Sequence, residues 1–179
     1  MVSKTELQAS SIINLVYSGK LKEANKKLQK LPRTHFFYFV SGWIAQLQGK
    51  HQKAISLFEK SLVKNPLNVD ALIGLSTSYL YFRDTERSIE CAEHSVLLES
   101  KNPKTHLALG TALAKSRKTQ KALTSFAQAF ELAHENVGLP HRNEILKDVL
   151  TSWGACYVDL RQFEEAQKLL ELALRMSET

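Results

Sequence analysis

Residues 35–68 read HFFYFVSGWIAQLQGKHQKAISLFEKSLVKNPLN, and the pattern of small and aromatic residues in this stretch returns further along the chain. Ala54, Ser88 and Ala122 each begin a matching segment, and both separations (88 − 54 and 122 − 88) are 34 residues. A fixed period of this length is typical of stacked helical hairpins, in which each repeat is one supersecondary unit. The spacing therefore predicts an all-α solenoid.

Three further sets of positions keep the same 34-residue spacing. Small residues recur where two helices must approach closely, and aromatic or small apolar residues recur where the next hairpin must dock. The sets are Gly42, Ser76 and Gly110, then Phe58, Ala92 and Phe126, and finally Ser61, Ser95 and Ala129.

Within residues 35–68, Tyr38 lies four residues before Gly42, Ala54 lies twelve residues after it, and Asn65-Pro66 closes the unit. This pattern resembles the tetratricopeptide repeat (TPR) family. The resemblance implies a right-handed superhelix in which the first helix of every hairpin lines a concave groove and the second forms the convex back. It implies no particular ligand.

Residues 1–179 are expected to form a single TPR domain of about five repeats. The repeats are placed approximately at 5–34, 35–68, 69–102, 103–136 and 147–179. Between the last two, residues 136–140 break a helix, while apolar residues continue at helical spacing beyond them. We interpret residues 134–146 as an inserted turn between two lengthened helices, and a simple loop insertion is the alternative.

The groove-facing positions that the family pattern assigns are unusually apolar in the N-terminal half of the chain. An apolar groove favours an amphipathic helix or a hydrophobic peptide as ligand, because burying each large side chain contributes roughly 1.5–3 kcal/mol. The alternative is that the superhelix curls tightly and these rings are ordinary core, or that the chain covers them itself. The candidate peptide-binding residues are Ile13, Tyr17, Phe36, Phe39, Trp43, Leu47, Ile73, Tyr81 and Leu107.

An apolar stripe also marks the last predicted helix. Phe163, Leu170 and Leu174 belong to the face that would normally pack on a following helix. Because stacked repeats need a polar cap at each end, we expect this face to form a homodimer, to pack on a partner or to meet further sequence. The main functional prediction is a noncatalytic protein–protein interaction adaptor, and the alternative is a homo-oligomerising scaffold that associates through this terminal helix.

One known TPR activity can be compared residue by residue. Chaperone-binding TPR domains hold a C-terminal Glu-Glu-Val-Asp tail with lysine, asparagine and arginine side chains on three inner helices. The corresponding places here hold Phe39 and Trp43, then Gly74, then Lys104 and Ala108. Only Lys104 fits, and without the other donors two carboxylates would be desolvated without partners. No such clamp is expected.

The net charge of +6 raises contact with nucleic acid or an acidic membrane as a less favoured alternative. The charge is uneven, since residues 1–60 carry ten basic and three acidic residues, whereas residues 121–179 carry six and nine. RNA-reading helical repeats need polar residues at the fifth position of each unit, and four of the five here are apolar. Sequence-specific binding to nucleic acid is therefore not expected.

Catalytic, metal and cofactor sites have little support in the sequence. No phosphate-binding loop, nucleophile elbow or metalloprotease signature is present, so no enzyme activity and no cofactor is predicted. His134 and His141 flank the inserted turn and are interpreted as surface residues rather than metal ligands. Cys91 and Cys156 lack metal-ligand spacing and are expected to be buried free thiols. With neither an apolar leader nor a transmembrane segment, the expected location is cytoplasmic.

Overall fold

Apolar residues at helical spacing, separated by short polar turns, fold the described part of the chain into ten α-helices without a strand. The structure, a computed structural model, describes the backbone of residues 4–176 and the side chains of residues 8–176. The helices are α1 (Lys4–Tyr17), α2 (Leu21–Leu28), α3 (His35–Leu47), α4 (His51–Lys64), α5 (Val69–Tyr81), α6 (Thr85–Leu98), α7 (Pro103–Lys115), α8 (Thr119–Glu135), α9 (Arg142–Asp159) and α10 (Phe163–Arg175).

The turn inside each hairpin has the same backbone geometry. One residue in every such turn adopts the left-handed conformation, with φ between 59° and 72°. Glycine takes this position in the first two hairpins, where the absence of a Cβ removes the steric cost. Arginine takes it in the other three, at a cost of roughly 1–2 kcal/mol each. The five residues are Gly19, Gly49, Arg83, Arg117 and Arg161.

Small residues on the first helices make room for a ring from the second helices. The Phe58 ring is fully buried and lies against both Gly42 and Gly74, so closely that a Cβ at Gly42 would lie 2.8 Å from it. Phe126 contacts Gly110 in the same way, at 2.7 Å from the corresponding Cβ position. These close approaches explain why small residues recur at the repeat period.

The second helix of one hairpin packs on the first helix of the next, as in the pairs α4 with α5, α6 with α7 and α8 with α9. The first helices also contact one another, α3 with α5, α5 with α7 and α7 with α9. A stack in which first helices contact first helices curves towards them, so α3, α5, α7 and α9 line its inner side. Residues 4–176 form an all-α solenoid of stacked helical hairpins, as expected.

The last two hairpins are joined by residues 136–141, which lie between the two longest helices. α8 has 17 residues and α9 has 18. The Arg142 guanidinium at the start of α9 donates hydrogen bonds to the carbonyls of Ala133 and His134 at the end of α8, at 2.9 and 2.8 Å. These bonds satisfy carbonyl groups that the helix itself leaves free, and they fix where the turn begins.

Both cysteines are free thiols, but their burial differs. Cys156 is buried, whereas Cys91 is only half-buried. Desolvation raises the pKa of both thiols, that of Cys91 to about 11. At neutral pH both are therefore protonated, the unreactive form of a thiol. Among residues 4–176, no helix combines the length and apolar character that a membrane span requires.

Candidate functional site

The inner face of the N-terminal hairpins encloses a largely apolar cavity of about 530 Å³. α1, α3 and α5 supply most of its walls. It brings together five of the nine residues that the sequence predicted for a peptide groove, with polar side chains between them. The five are Ile13, Tyr17, Phe39, Trp43 and Ile73.

The aromatic side chains in this cavity form one continuous wall. The Tyr17 and Trp43 rings meet edge to face with centroids 4.9 Å apart, and Trp43 stacks on Phe39 at 6.1 Å. Phe39 in turn lies 6.3 Å from the buried ring of Phe58. Phe39 and Trp43 are half-buried, and Tyr17 is 40% exposed. The wall therefore joins the hydrophobic core to the groove surface.

The other four predicted groove residues lie elsewhere. Phe36 lines a smaller neighbouring cavity of about 290 Å³, and Leu107 lines one of about 420 Å³ further along the inner face. Leu47 and Tyr81 are the last residues of α3 and α5 and are exposed. The Tyr81 ring stacks on that of His51, the first residue of α4, with centroids 4.0 Å apart. Neither Leu47 nor Tyr81 lines these cavities.

The turn between α8 and α9 reaches across the groove to α1. The His141 ring stacks on Tyr17 with centroids 4.0 Å apart and planes 20° from parallel. Pro140 and His141 line the same cavity as Trp43. His141 adopts the left-handed conformation, with φ 57°, and its Nδ1 lies 3.2 Å from a carboxylate oxygen of Glu144. The chain therefore covers part of its own groove.

His141 is exposed at the surface, as predicted, and this contact also packs it against α1. Its ring packs against a residue from the other end of the chain. The sequence carried one signal of this contact, the inserted turn predicted at residues 134–146 between the last two repeats. The insertion indicated that extra residues were present, but it did not indicate that they fold into the groove.

Charged groups lie where the groove continues past the aromatic wall. A cavity of about 660 Å³ is lined by Asp70, Glu99, Lys104 and the turn residues Pro140 and His141. Although Asp70 is accessible within the cavity, the surrounding protein desolvates its carboxylate and raises its pKa, and the positive charge of Lys104 opposes this rise. The Lys104 ammonium donates to the Tyr17 hydroxyl at 3.5 Å.

A second apolar surface lies on α10. Phe163 is 60% exposed, Leu170 39% and Leu174 64%. Within residues 4–176, no cluster of three or more histidine, cysteine, aspartate or glutamate side chains has the geometry to hold a metal ion.

Comparison with known proteins supports a repeat solenoid. Residues 149–179 match the family model for the tetratricopeptide repeat. The chain is 26% identical over 112 residues to the general transcriptional corepressor trfA of Dictyostelium discoideum, a match that spans 63% of this chain and 7% of the length of that relative.

Two solved structures have the same fold. The thermophilic TPR protein TTC0263 of Thermus thermophilus superposes with a TM-score of 0.81 at 16% identity, covering 97% of this chain and 92% of that one. YrrB, described as a TPR protein with an unusual peptide-binding site, superposes with a TM-score of 0.59 at 19% identity, covering 94% and 84%.

Proposed function

We propose that this chain, a tetratricopeptide-repeat protein, is a noncatalytic adaptor that binds a hydrophobic peptide segment of another protein on its concave face. A TPR fold in general serves protein–protein interaction. The observation that carries the finer proposal is the cavity between α1, α3 and α5, in which Tyr17, Phe39 and Trp43 form an accessible aromatic wall.

The size of the cavity limits what can enter it. A volume of about 530 Å³ is within the usual range of small-ligand pockets, roughly 300–1,000 Å³. It suits a few side chains better than an entire helix. We therefore propose that the partner inserts one or two large apolar side chains, while its backbone runs towards the neighbouring cavities that contain Phe36 and Leu107.

The energetics support modest affinity. Each large apolar side chain buried contributes roughly 1.5–3 kcal/mol, and the rigid wall leaves most of the ordering cost with the peptide. Gln46 and Thr77 also line the cavity; their donor groups bond within the chain, so they offer a peptide their side-chain oxygens as acceptors beside the rings. One or two anchors in this cavity, with further contacts in the neighbouring cavities, would give weak binding, no tighter than the micromolar range of about −8 kcal/mol.

The direct test uses a randomised peptide library displayed on phage, selected on the wild-type protein. Thr77→Arg places a long charged side chain in the cavity from an exposed position. We expect it to weaken binding of the selected peptides by at least about tenfold, because a charge is desolvated in the groove. Fluorescence anisotropy with labelled peptides measures the affinity.

Thr124→Arg is the matched control. Thr124 is exposed on the second helix α8, and its hydroxyl bonds a carbonyl four residues earlier, as that of Thr77 does. Binding should be unchanged in this variant. Selected peptides that bind Thr77→Arg as tightly as wild type would show that the concave cavity is not their site, and a library that yields no binding peptide would count against the proposal itself.

Removing the stacked ring of the covering turn should have the opposite effect. His141→Asn keeps a residue that tolerates the left-handed conformation but removes the contact with Tyr17, an aromatic pair of the kind that contributes roughly 0.5–1.5 kcal/mol. If the turn must move aside for the peptide, selected peptides should bind roughly two- to tenfold more tightly.

Arg83→Asn controls for this substitution, because Arg83 has the same backbone conformation in a hairpin turn and lines none of the cavities described. Its anisotropy titration should match wild type. Weaker binding in His141→Asn would instead mean that the turn contacts the peptide and forms part of the site.

A further inference from the structure

The turns inside the hairpins lie in a row along one edge of the solenoid. Each first helix is followed by an antiparallel second helix, and α3, α5, α7 and α9 contact one another in series, so their last residues lie side by side. Neighbouring turns also touch, since Tyr81 at the end of α5 stacks on His51 at the start of α4. We define the turn edge as the segments from the last residue of each first helix to the third residue of the second. The segments are 17–23, 47–53, 81–87, 115–121 and 159–165.

Basic residues are concentrated on the turn edge of the first four hairpins. Those four segments contain ten basic and three acidic residues, a balance of +7, whereas the whole chain carries +6. All ten basic residues are exposed. Some keep the 34-residue period, so the charge recurs from one hairpin to the next. The periodic ones are Lys53, Arg87 and Lys121, and also Arg83 and Arg117.

The acidic residues leave most of this charge free. Asp84 pairs with Arg87 inside the third turn, and the other two acids, Glu23 and Glu86, make no ion pair among the described residues. The fifth segment differs, because it contains one arginine and three acidic residues. The strongly positive surface therefore ends at the fourth hairpin.

Exposed aromatic rings are confined to the same edge. Among the described side chains, every phenylalanine, tyrosine or tryptophan that is exposed lies in one of the five segments. Tyr17 belongs to the groove wall and Phe163 to the acidic fifth segment, which leaves Tyr81, 63% exposed, and Phe82. Leu47, 54% exposed, is the last residue of α3 and lies on the neighbouring turn.

Exposed apolar side chains among basic residues suit the surface of an anionic bilayer. Aromatic and leucine side chains enter the headgroup region, while lysine and arginine contact lipid phosphates. Nucleic acid fits less well, because stacking on bases needs free ring faces. His51 covers one face of Tyr81, and Phe82 meets Tyr81 edge to face at 5.3 Å. Leu47 has no ring to offer a base.

We propose that the turn edge of the second, third and fourth hairpins docks on an anionic lipid bilayer. Leu47, Tyr81 and Phe82 enter the headgroup region, and the basic residues of these turns contact the lipid phosphates. Trp43 and Ile73 of the concave cavity lie within the first helices rather than at their ends. A bilayer on the turn edge therefore leaves the groove to its own ligand.

Co-sedimentation with vesicles tests the charge. Wild type should bind phosphatidylcholine vesicles that contain about 30% phosphatidylserine, should not bind pure phosphatidylcholine vesicles, and should dissociate at about 1 M salt, where charges are screened beyond about 3 Å. Lys53→Glu combined with Lys121→Glu should weaken binding at least about tenfold, because each lysine near such a surface contributes about fivefold. Lys64→Glu with Lys101→Glu is the matched control, since it changes the net charge equally at exposed positions near the turns between hairpins.

A second pair of variants tests the apolar contact at constant charge. Leu47→Gln with Phe82→Gln should weaken vesicle binding at least about fivefold, because two exposed apolar side chains no longer enter the bilayer. Val63→Gln with Leu97→Gln is the control, because both residues are exposed and lie near the opposite ends of the second helices α4 and α6. Circular dichroism should show the same helix content in all four double variants as in wild type.

Three results would overturn the proposal. One is wild-type protein that stays in solution with the anionic vesicles at low salt. Another is an equal loss in the two lysine variants, which would mean that net charge and not the turn edge governs binding. The third is full binding by the Leu47 and Phe82 variant together with equally tight binding of wild type to a DNA duplex, which would identify a general polyanion surface. None of these measurements involves a peptide in the groove.

Discussion

Phe58→Ala is expected to lower the free energy of unfolding by about 3–5 kcal/mol, the usual cost of truncating a fully buried phenylalanine. The Phe58 ring has no exposed surface and fills the space between Gly42 on α3 and Gly74 on α5. Because neither glycine has a side chain that could move into the vacated space, the cavity cannot collapse easily. The loss should be at the upper end of the range.

Urea denaturation followed by circular dichroism measures this effect, and the melting temperature should fall by about 10 °C or more. Phe82→Ala is the control, because Phe82 is 48% exposed at the end of α5 and its truncation should cost about 1 kcal/mol or less. Equal losses in the two variants would show that Phe58 does not hold the two hairpins together.

The period of the sequence was enough to predict this part of the fold. Spacing alone placed Phe58 and Phe126 in equivalent positions and assigned Gly42 and Gly110 to a second set of equivalent positions. The structure confirms the all-α solenoid, because local helix patterns and packing between neighbouring hairpins agree. Each repeat contacts mainly its neighbours, so its structure depends on residues close in sequence.

The hairpin turns were harder to foresee. Arg83 and Arg117 follow Gly49 at the repeat spacing, and all three residues have positive φ. An arginine in the sequence does not indicate a positive φ, whereas a glycine at the same position would have indicated one. The packing of the helices on either side imposes it, and that packing is a property of the assembled hairpin rather than of the turn sequence.

Only part of the candidate site could be predicted. Ile13, Tyr17 and Trp43 line the same cavity. This could be predicted, because the family pattern assigns all three to inner helices. The contact between Tyr17 and His141 could not be predicted, because it depends on how far the whole superhelix curves. That curvature is the sum of small rotations at each junction between hairpins, and no single segment of the sequence encodes it.

Trp43→Ala should weaken binding of the library-selected peptides by roughly 30- to 100-fold, as expected when a central tryptophan anchor is removed. Trp43 lies between Tyr17 and Phe39 in the groove wall, so its truncation also leaves both rings without their common neighbour. Since Trp43 also packs on the core, the variant should lose some stability as well, and binding must be measured well below its melting temperature.

Trp153→Ala separates the loss of the binding surface from the loss of stability. Trp153 is half-buried like Trp43, packs beside Phe130 and Tyr157, and lines none of the cavities described. Both variants should melt at lower temperature, but only Trp43→Ala should lose peptide affinity in anisotropy titrations. Equal weakening in both would mean that binding reports the integrity of the fold, and full affinity in Trp43→Ala would mean that the aromatic wall serves the core alone.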